Sequence, residues 1–332
     1  MMVAGVYGEK RSPRSAGRQG RASEGGVKPF EYGPPRKAQS AMEYLMTYGW
    51  AILIIAVVLI ALFSLGVFDP FAFSPRAQPG SCQAIRPLGA GISTDINLAG
   101  TCNDEIPKFV AVFNGKDTMV NVPETVLTGS DGFTLSFWFY YQSTTYSCST
   151  TGIIEFANTI RNSIVGLLGC APPSSFGYAC SGKCYNNGLL FSSTQPVIDR
   201  WESVIYTYDS TTGGMNIFVD GSSIANSLAD GFPGATEGIV IPAGSHMTMA
   251  PKWELQYNGM LSNVQLYNTS FGQAEVDALY KGGIGGTPIA LQNLVGWWPL
   301  NGDVQDYSGN QNPGSPSNMI FTDSWTTGYS PP

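Results

Sequence analysis

Two kinds of apolar run divide this chain. The first is unbroken: from Tyr44 to Phe68 the sequence YLMTYGWAILIIAVVLIALFSLGVF contains no charge. Its 25 residues exceed the roughly 20 that a helix needs to span a bilayer. The second kind begins after Lys108. Short β-branched or aromatic runs at Phe109–Phe113, Phe133–Tyr141, Gly152–Phe156, Ile164–Leu168, Gly188–Phe191, Trp201–Tyr208, Met215–Val219 and Gly238–Ile241 are punctuated by Gly, Asn, Asp and Ser, which predicts strands. Phe133, Leu135, Phe137 and Phe139 share one face, with Thr134 and Ser136 opposite. Met215, Ile217 and Val219 alternate with Asn216 and Phe218, and Asp220–Gly221 follows as a hairpin turn. One late helix is predicted: Ser270 and Gln273 have capping-box spacing, Val276, Leu279 and Tyr280 form an apolar face, and Gly282–Gly283 end it. Many strands with one short helix predict an all-β sandwich or jelly roll.

The flanks of the apolar run orient it. Tyr44, Tyr48 and Trp50 are placed as interfacial aromatics, Arg36 and Lys37 lie before the run, and Asp69 follows it. The positive-inside rule then puts the N-terminus in the cytoplasm and residues 69–332 outside, in a single-pass protein of the cell membrane. A buried core helix would need a large surrounding domain that the preceding 43 residues do not supply. A cleaved secretory signal has a shorter apolar core and a small-residue cleavage site, whereas this run ends in Phe68–Asp69–Pro70. Residues 69–107, with Pro70, Pro75, Pro79, Pro87 and Pro107, are expected to form a stalk or a small disulfide-pinned loop region.

Charge sharpens this division. Residues 1–38 carry a net +5 and residues 39–332 a net −12, which together give the −7 of the chain. An acidic outer part argues against nucleic acid as a partner. Residues 1–38, rich in Gly, Arg and Ser without apolar periodicity, are expected to be a disordered leader. All six cysteines, Cys82, Cys102, Cys148, Cys170, Cys180 and Cys184, follow the apolar run, as disulfides in an oxidising compartment would. Zinc and free thiols are the alternatives; the one CxxxC pair, Cys180/Cys184, has no second pair, and His246 is the sole histidine. Sequence proximity favours Cys82–Cys102, with the other four pairing among themselves.

The string Arg36–Lys37–Ala38–Gln39–Ser40–Ala41–Met42–Glu43 ahead of the apolar helix resembles the class III signal of archaeal type IV pilin-like proteins. The resemblance covers about 30 residues and implies cleavage between Ala38 and Gln39 by a prepilin peptidase, leaving the helix at 39–68 attached. It also implies that Glu43 pairs with the new α-amino group of a like subunit in a filament. An ordinary interfacial carboxylate is the alternative for Glu43.

The ordered motifs FTLSFWFYY, WESVIYTYD with GMNIFVDG, GMLSNVQLYN and QAEVDALYKGG resemble the laminin-G-like, concanavalin-A-like jelly roll of secreted and surface proteins, over about 108–290. The family's W-P-L…D-x-S-G-N motif stands here at Gly296–Asn310, within a C-terminal segment 291–332, and reads as an extra strand or a truncated repeat. In that family such a loop lies beside a calcium ion. The resemblance therefore implies Asp303 and Asp306 as carboxylate ligands and Asn310 as a third side-chain oxygen; a plain solvated turn is the alternative.

Catalytic signatures are lacking. No E-x-D-x-x-E strand, P-loop or H-E-x-x-H occurs, and His246 lies in Gly-Ser-His-Met-Thr without a nucleophile elbow. Trp201, Trp253, Trp297, Trp298 and Trp325 are candidates either for stacking on sugars or for core packing. Asn268–Thr269–Ser270 is an N-glycosylation sequon. Three functions compete: an adhesin-like surface protein binding a glycan or protein ligand, a purely structural envelope or pilus subunit, and a tethered glycoside hydrolase. The first is expected.

Overall fold

A computed structural model describes residues 41–64, 78–103, 105–123, 127, 132–142, 151–157, 161–168, 175–182, 189–226, 245–252 and 255–332. The chain divides into two compact units, Met1–Asp69 and Pro70–Pro332. The first contains α1 (Ala41–Ser64). This helix begins three residues before the charge-free run and continues through most of it. Its described side chains, 46 and 48–62, are almost all exposed, from Leu59 at 43 % to Ile60 at 68 %. Among the described residues no helix is long and apolar enough to cross a membrane.

The second unit is built of strands: β1 (Cys82–Ile85), β2 (Asn97–Gly100), β3 (Val110–Asn114), β4 (Met119–Val122), β5 (Phe133–Tyr141), β6 (Thr151–Ala157), β7 (Arg161–Leu168), β8 (Ser175–Gly182), β9 (Leu189–Phe191), β10 (Trp201–Asp209), β11 (Gly214–Val219), β12 (Ser222–Asn226), β13 (His246–Met249), β14 (Leu255–Gln256) and β15 (Asn258–Tyr267). After these come α2 (Gln273–Lys281), β16 (Leu294–Trp298), β17 (Ser315–Ser317) and β18 (Ile320–Thr322). Sheet one runs β12-β11-β10-β5-β15-β3-β18, with β16 also on β15; sheet two runs β17-β4-β13-β6-β7-β8-β9, with β14 parallel on β6. This is the all-β jelly-roll sandwich expected.

The alternation read from β5 and β11 faces the sandwich interior. Phe133, Leu135, Phe137, Phe139, Met215, Ile217 and Val219 join Ile154, Phe156, Val165, Met247 and Met249 of sheet two in one buried core. Phe133 lies 6.4 Å from Phe156, and Phe139 lies 5.5 Å edge-on from Phe176. Burial of this kind contributes roughly 1.5–3 kcal/mol per large side chain. At the β11–β12 turn Asp220 (φ 48°) and Gly221 (φ 76°) both occupy the left-handed region, as a tight hairpin requires.

The outer face of sheet one is buried as well. Trp138, Tyr140 and Trp201 pack with Ile284 and Trp325. Ile205, Phe218 and Tyr267 pack with Phe271, Val276, Leu279 and Trp297, and with Cys82 and Ala84 of the β1–β2 hairpin. Of the two expectations for this stretch, the β1–β2 hairpin has the form of a small disulfide-pinned region, and it packs on the jelly roll through Cys82 and Ala84. Cys82 and Cys102 are joined, with Cα atoms 5.0 Å apart. Cys148, Cys170, Cys184 and the side chain of Cys180 lie outside the described residues. The C-terminal segment supplies strands to both sheets: β16 pairs with β15, β17 with β4, and β18 with β3. It is an integral part of the sandwich and not a truncated repeat.

The helix cap differs from the Ser270/Gln273 expectation. Thr134 Oγ1 donates to the Thr269 carbonyl (2.7 Å) and accepts from Phe271 N–H (2.9 Å), which holds that stretch to β5. The cap moves to Gly272, whose N–H donates to Glu275 Oε2 at 3.1 Å. This carboxylate-to-amide half of a capping box is the part glycine can share. The C-terminal end is as expected, with Gly282 as cap and Gly283 at φ 72°.

Candidate functional site

A bulge in β15 builds the wall of a cleft. Asn263 takes φ 52° where the β15–β5 register shifts, and its side chain turns toward the loop that follows α2. Asn263 Nδ2 donates to the Gly286 carbonyl (2.8 Å), and Gln265 Nε2 donates to the same carbonyl (3.0 Å). Asn263 Oδ1 accepts from Gln265 Nε2 and from Trp297 Nε1 (2.9 Å), while Tyr267 donates to Gln265 Oε1 (2.6 Å). A buried network with its members satisfied is rigid, so Gly282–Gly286 is held from beneath. Glycine is required there by space: a Cβ on Gly285 would meet the Glu105 carbonyl at 1.8 Å.

This loop, Cys102, Asn103, Glu105 and Ile106, and Tyr329, Pro331 and Pro332 enclose a cleft of about 690 Å³, within the roughly 300–1,000 Å³ usual for ligand sites. Its polar groups include the Glu105 carboxylate, Asn103, Thr287 and Lys281; Ile106, Ile284, Ile289, Tyr329 and the two prolines supply apolar surface. Glu105 is half-buried and accepts a hydrogen bond from Ser81 Oγ at 3.1 Å. Burial raises its pKa above the ordinary glutamate value, and the Ser81 hydroxyl opposes this. Tyr329 accepts from Ile284 N–H (3.2 Å) and packs edge-on against Trp138 at 5.5 Å. The Gly-Gly-Ile-Gly-Gly run was the sequence signal for this wall, read above only as a helix stop.

The residues expected to bind calcium have internal partners. Asp306 Oδ1 accepts from Trp297 N–H (3.0 Å) and Ser308 N–H (2.8 Å), and its Oδ2 from Asn312 N–H (2.9 Å). Asp303 accepts from Gln305 N–H and from the Tyr307 hydroxyl (2.7 Å). Asn310 Oδ1 accepts from Gly91 N–H, and its Nδ2 donates to the Leu294 and Val295 carbonyls. Among the described residues no group of three or more His, Cys, Asp or Glu could hold a metal ion. Arg86, missed in the sequence, extends the same arrangement by donating to the carbonyls of Ser308, Ile92, Leu291 and Leu294. Burial lowers its pKa while Asp306 opposes the shift.

Four of the five candidate stacking tryptophans are core. Trp201, Trp297, Trp298 and Trp325 are each at most 2 % exposed, so none presents a ring face to a sugar; Trp253 lies outside the described residues. Ala38 and Gln39 also lie outside them, as does the Glu43 side chain. His246 is an exposed residue opening β13. Asn268 is exposed at the end of β15. Glu202 has its pKa pushed up to about 7, first by burial and then by Asp220, against hydrogen bonding from Val197 and the charge of Arg200. At 3 % exposure, with Oε2 accepting from Val197 N–H at 3.0 Å, it is not presented to a substrate.

With this geometry, the strand order and the sequence agree. Residues 114–277 match the profile of the concanavalin A-like lectin/glucanases superfamily, laminin G type. This segment is similar to that superfamily, and the chain adds β1, β2, nearly all of β3 and β16–β18 around the matched part. Similar solved structures include a candidate carbohydrate-binding protein from Bacteroides ovatus, at 18 % identity and a TM-score of 0.47, covering 69 % of this chain and 63 % of that one. The chain thus spans just under two thirds of the Bacteroides protein. The SAP-like pentraxin of Limulus polyphemus is 11 % identical, with a TM-score of 0.45 and coverage of 64 % and 94 %. Domain 4 of a GH43 extracellular arabinanase from Geobacillus stearothermophilus is 14 % identical, with a TM-score of 0.38 and coverage of 51 % and 75 %. No curated protein matches the sequence.

Proposed function

We propose that this chain is a membrane-anchored surface protein whose jelly roll binds carbohydrate without acting on it chemically. The observation that carries the binding reading is the cleft. Its carboxylate, amide and hydroxyl groups can pair with sugar hydroxyls, and Tyr329, Pro331 and Pro332 offer apolar surface to a sugar's C–H face. The superfamily named by the matching profile comprises lectins and glucanases, both of which handle carbohydrate. Glycoside hydrolysis ordinarily needs two carboxylates flanking the scissile bond; Glu105 is the one carboxylate lining the cleft among the described residues. The test is glycan-array binding by the detergent-solubilised full chain. Retention of a defined glycan class, weakened at least tenfold by Asn103→Ala with Lys281→Ala, supports the reading. Binding that the pair leaves unchanged moves the site elsewhere, and no binding to any glycan overturns it.

The anchoring half is supported by α1. A helix with aliphatic residues exposed on all faces belongs in lipid or against like helices. Processing between Ala38 and Gln39, followed by assembly through Glu43, completes the proposal. N-terminal sequencing of membrane-extracted protein should begin at Gln39, and Glu43→Ala should lower filament yield while leaving membrane insertion intact. A mature protein still carrying residues 1–38 would remove the pilin-like part.

A further inference from the structure

We propose that Asn268 carries an N-linked glycan; this rests on the reading that residues 69–332 lie outside the membrane. Asn268–Thr269–Ser270 is the only Asn-x-Ser/Thr sequence in the chain. The structure places it where β15 ends and the chain turns toward α2, with Asn268 exposed while the preceding Tyr267 is fully buried. The carboxamide is also oriented. Asn293 Nδ2 donates to Asn268 Oδ1 at 3.1 Å, and Asn268 N–H donates to the Asn293 carbonyl at 2.9 Å. With Oδ1 held by its neighbour, Nδ2 is directed away from that contact, and it donates to no group among the described residues. The backbone beyond is pinned by Thr134 through the Thr269 carbonyl and Phe271 N–H. A glycan on Nδ2 therefore leaves the sandwich without displacing a packed side chain.

The donor class is an oligosaccharide on a lipid diphosphate. The bond from sugar C1 to the phosphate oxygen breaks, the C1–Nδ2 bond forms, Nδ2 loses one proton, and the lipid diphosphate leaves. The test uses full-length protein purified from the membranes of the organism that makes it. Trypsin releases residues 253–281 as one peptide containing Asn268. That peptide should carry a saccharide mass increment, lost in Asn268→Gln and in Ser270→Ala but kept in Ser270→Thr. An unmodified peptide, in cells whose outer domain is digested by added protease, overturns the glycan and leaves the topology standing. An unmodified peptide with the domain protected overturns both.

Discussion

The two sheets of the sandwich use similar strands and end in different surroundings. All nine residues of β5 and eight of nine in β10 are buried, because α2, the β1–β2 hairpin and the C-terminal tail cover the outer face of sheet one. In sheet two, β4 alternates exposed Asn121 with buried Val120 and Val122. Its neighbour Thr248 donates to Asn121 Oδ1 at 3.1 Å, and Glu155 continues the row across β6. The polar positions of the two sheets therefore have different duties. On sheet two Thr248 meets Asn121. On sheet one such positions fasten a second layer, as Thr134 does for the turn before α2.

The sharpest test of this contrast compares two tryptophans. Trp298 lies in the inter-sheet core and Trp325 in the cover of sheet one, donating from Nε1 to the Asn312 and Pro107 carbonyls respectively. If the cover is a true second core, either Trp→Ala change should cost about 3–5 kcal/mol. Denaturant unfolding of the solubilised chain measures this; a loss below about 1 kcal/mol for Trp325→Ala would reduce the cover to a loose flap.

Asp306→Ala comes next. It strips the acceptor from three amides near β16, and the loss should be about 3 kcal/mol or more, since hydrogen bonds to charged groups contribute roughly 1.5–3 each. With its oxygens serving protein N–H groups, the wild-type melting temperature should not move on adding millimolar calcium. A calcium-dependent rise that Asp306→Ala abolishes would restore the metal-ligand reading.

Glu202, on the inner face of β10 opposite Phe139, gives a pH signature. Its folded pKa of about 7 stands above the ordinary 4.5, so the folded state holds the proton more tightly. The stabilising contribution is complete below pH about 4.5 and is lost as pH rises through about 7, a change of about 3 kcal/mol. Glu202→Gln should flatten this group's part of the stability profile between pH 5 and 8. A slope unchanged by the substitution would show that the carboxyl is solvated in the folded state.

The smallest effect belongs to the exposed Asn121 of β4. Asn121→Ala should cost no more than about 1 kcal/mol, the net value of one hydrogen bond. A thermal-shift loss comparable with that of Trp325→Ala would mean that sheet two is covered as well.

Much of this sandwich is legible in the sequence, and the reasons can be located. β5 was read to the residue because its flanks change character abruptly, and the Asp220–Gly221 turn because both positions need left-handed backbone. Cys82–Cys102 followed from proximity. The cover of sheet one was not legible. Trp297, Trp298 and Trp325 look alike in composition to sugar-stacking residues, and only pairing of β16 with β15 shows that two of them are on opposite faces of one strand. The cleft was missed for a related reason: its walls come from three stretches, around Asn103 and Glu105, around Gly282 and Ile289, and around Tyr329 and Pro332, and periodicity reports nothing about segments that meet only after folding. Thr134 illustrates the helix-cap error, since it pins Thr269 and Phe271 from 135 and 137 positions away.

The late strands also constrain how the protein is made. β18 sets Ile320 opposite Val112, and β17 sets Ser315 opposite Asn121. Neither sheet is complete until the stretch through residue 322 has been synthesised. Before then β3 and β4 each lack a neighbour, and open strand edges invite wrong pairing. A nascent chain thus stays unfinished until translation has passed residue 322. A product truncated before residue 315 keeps both of these edges open, a form that proteases can recognise as incomplete.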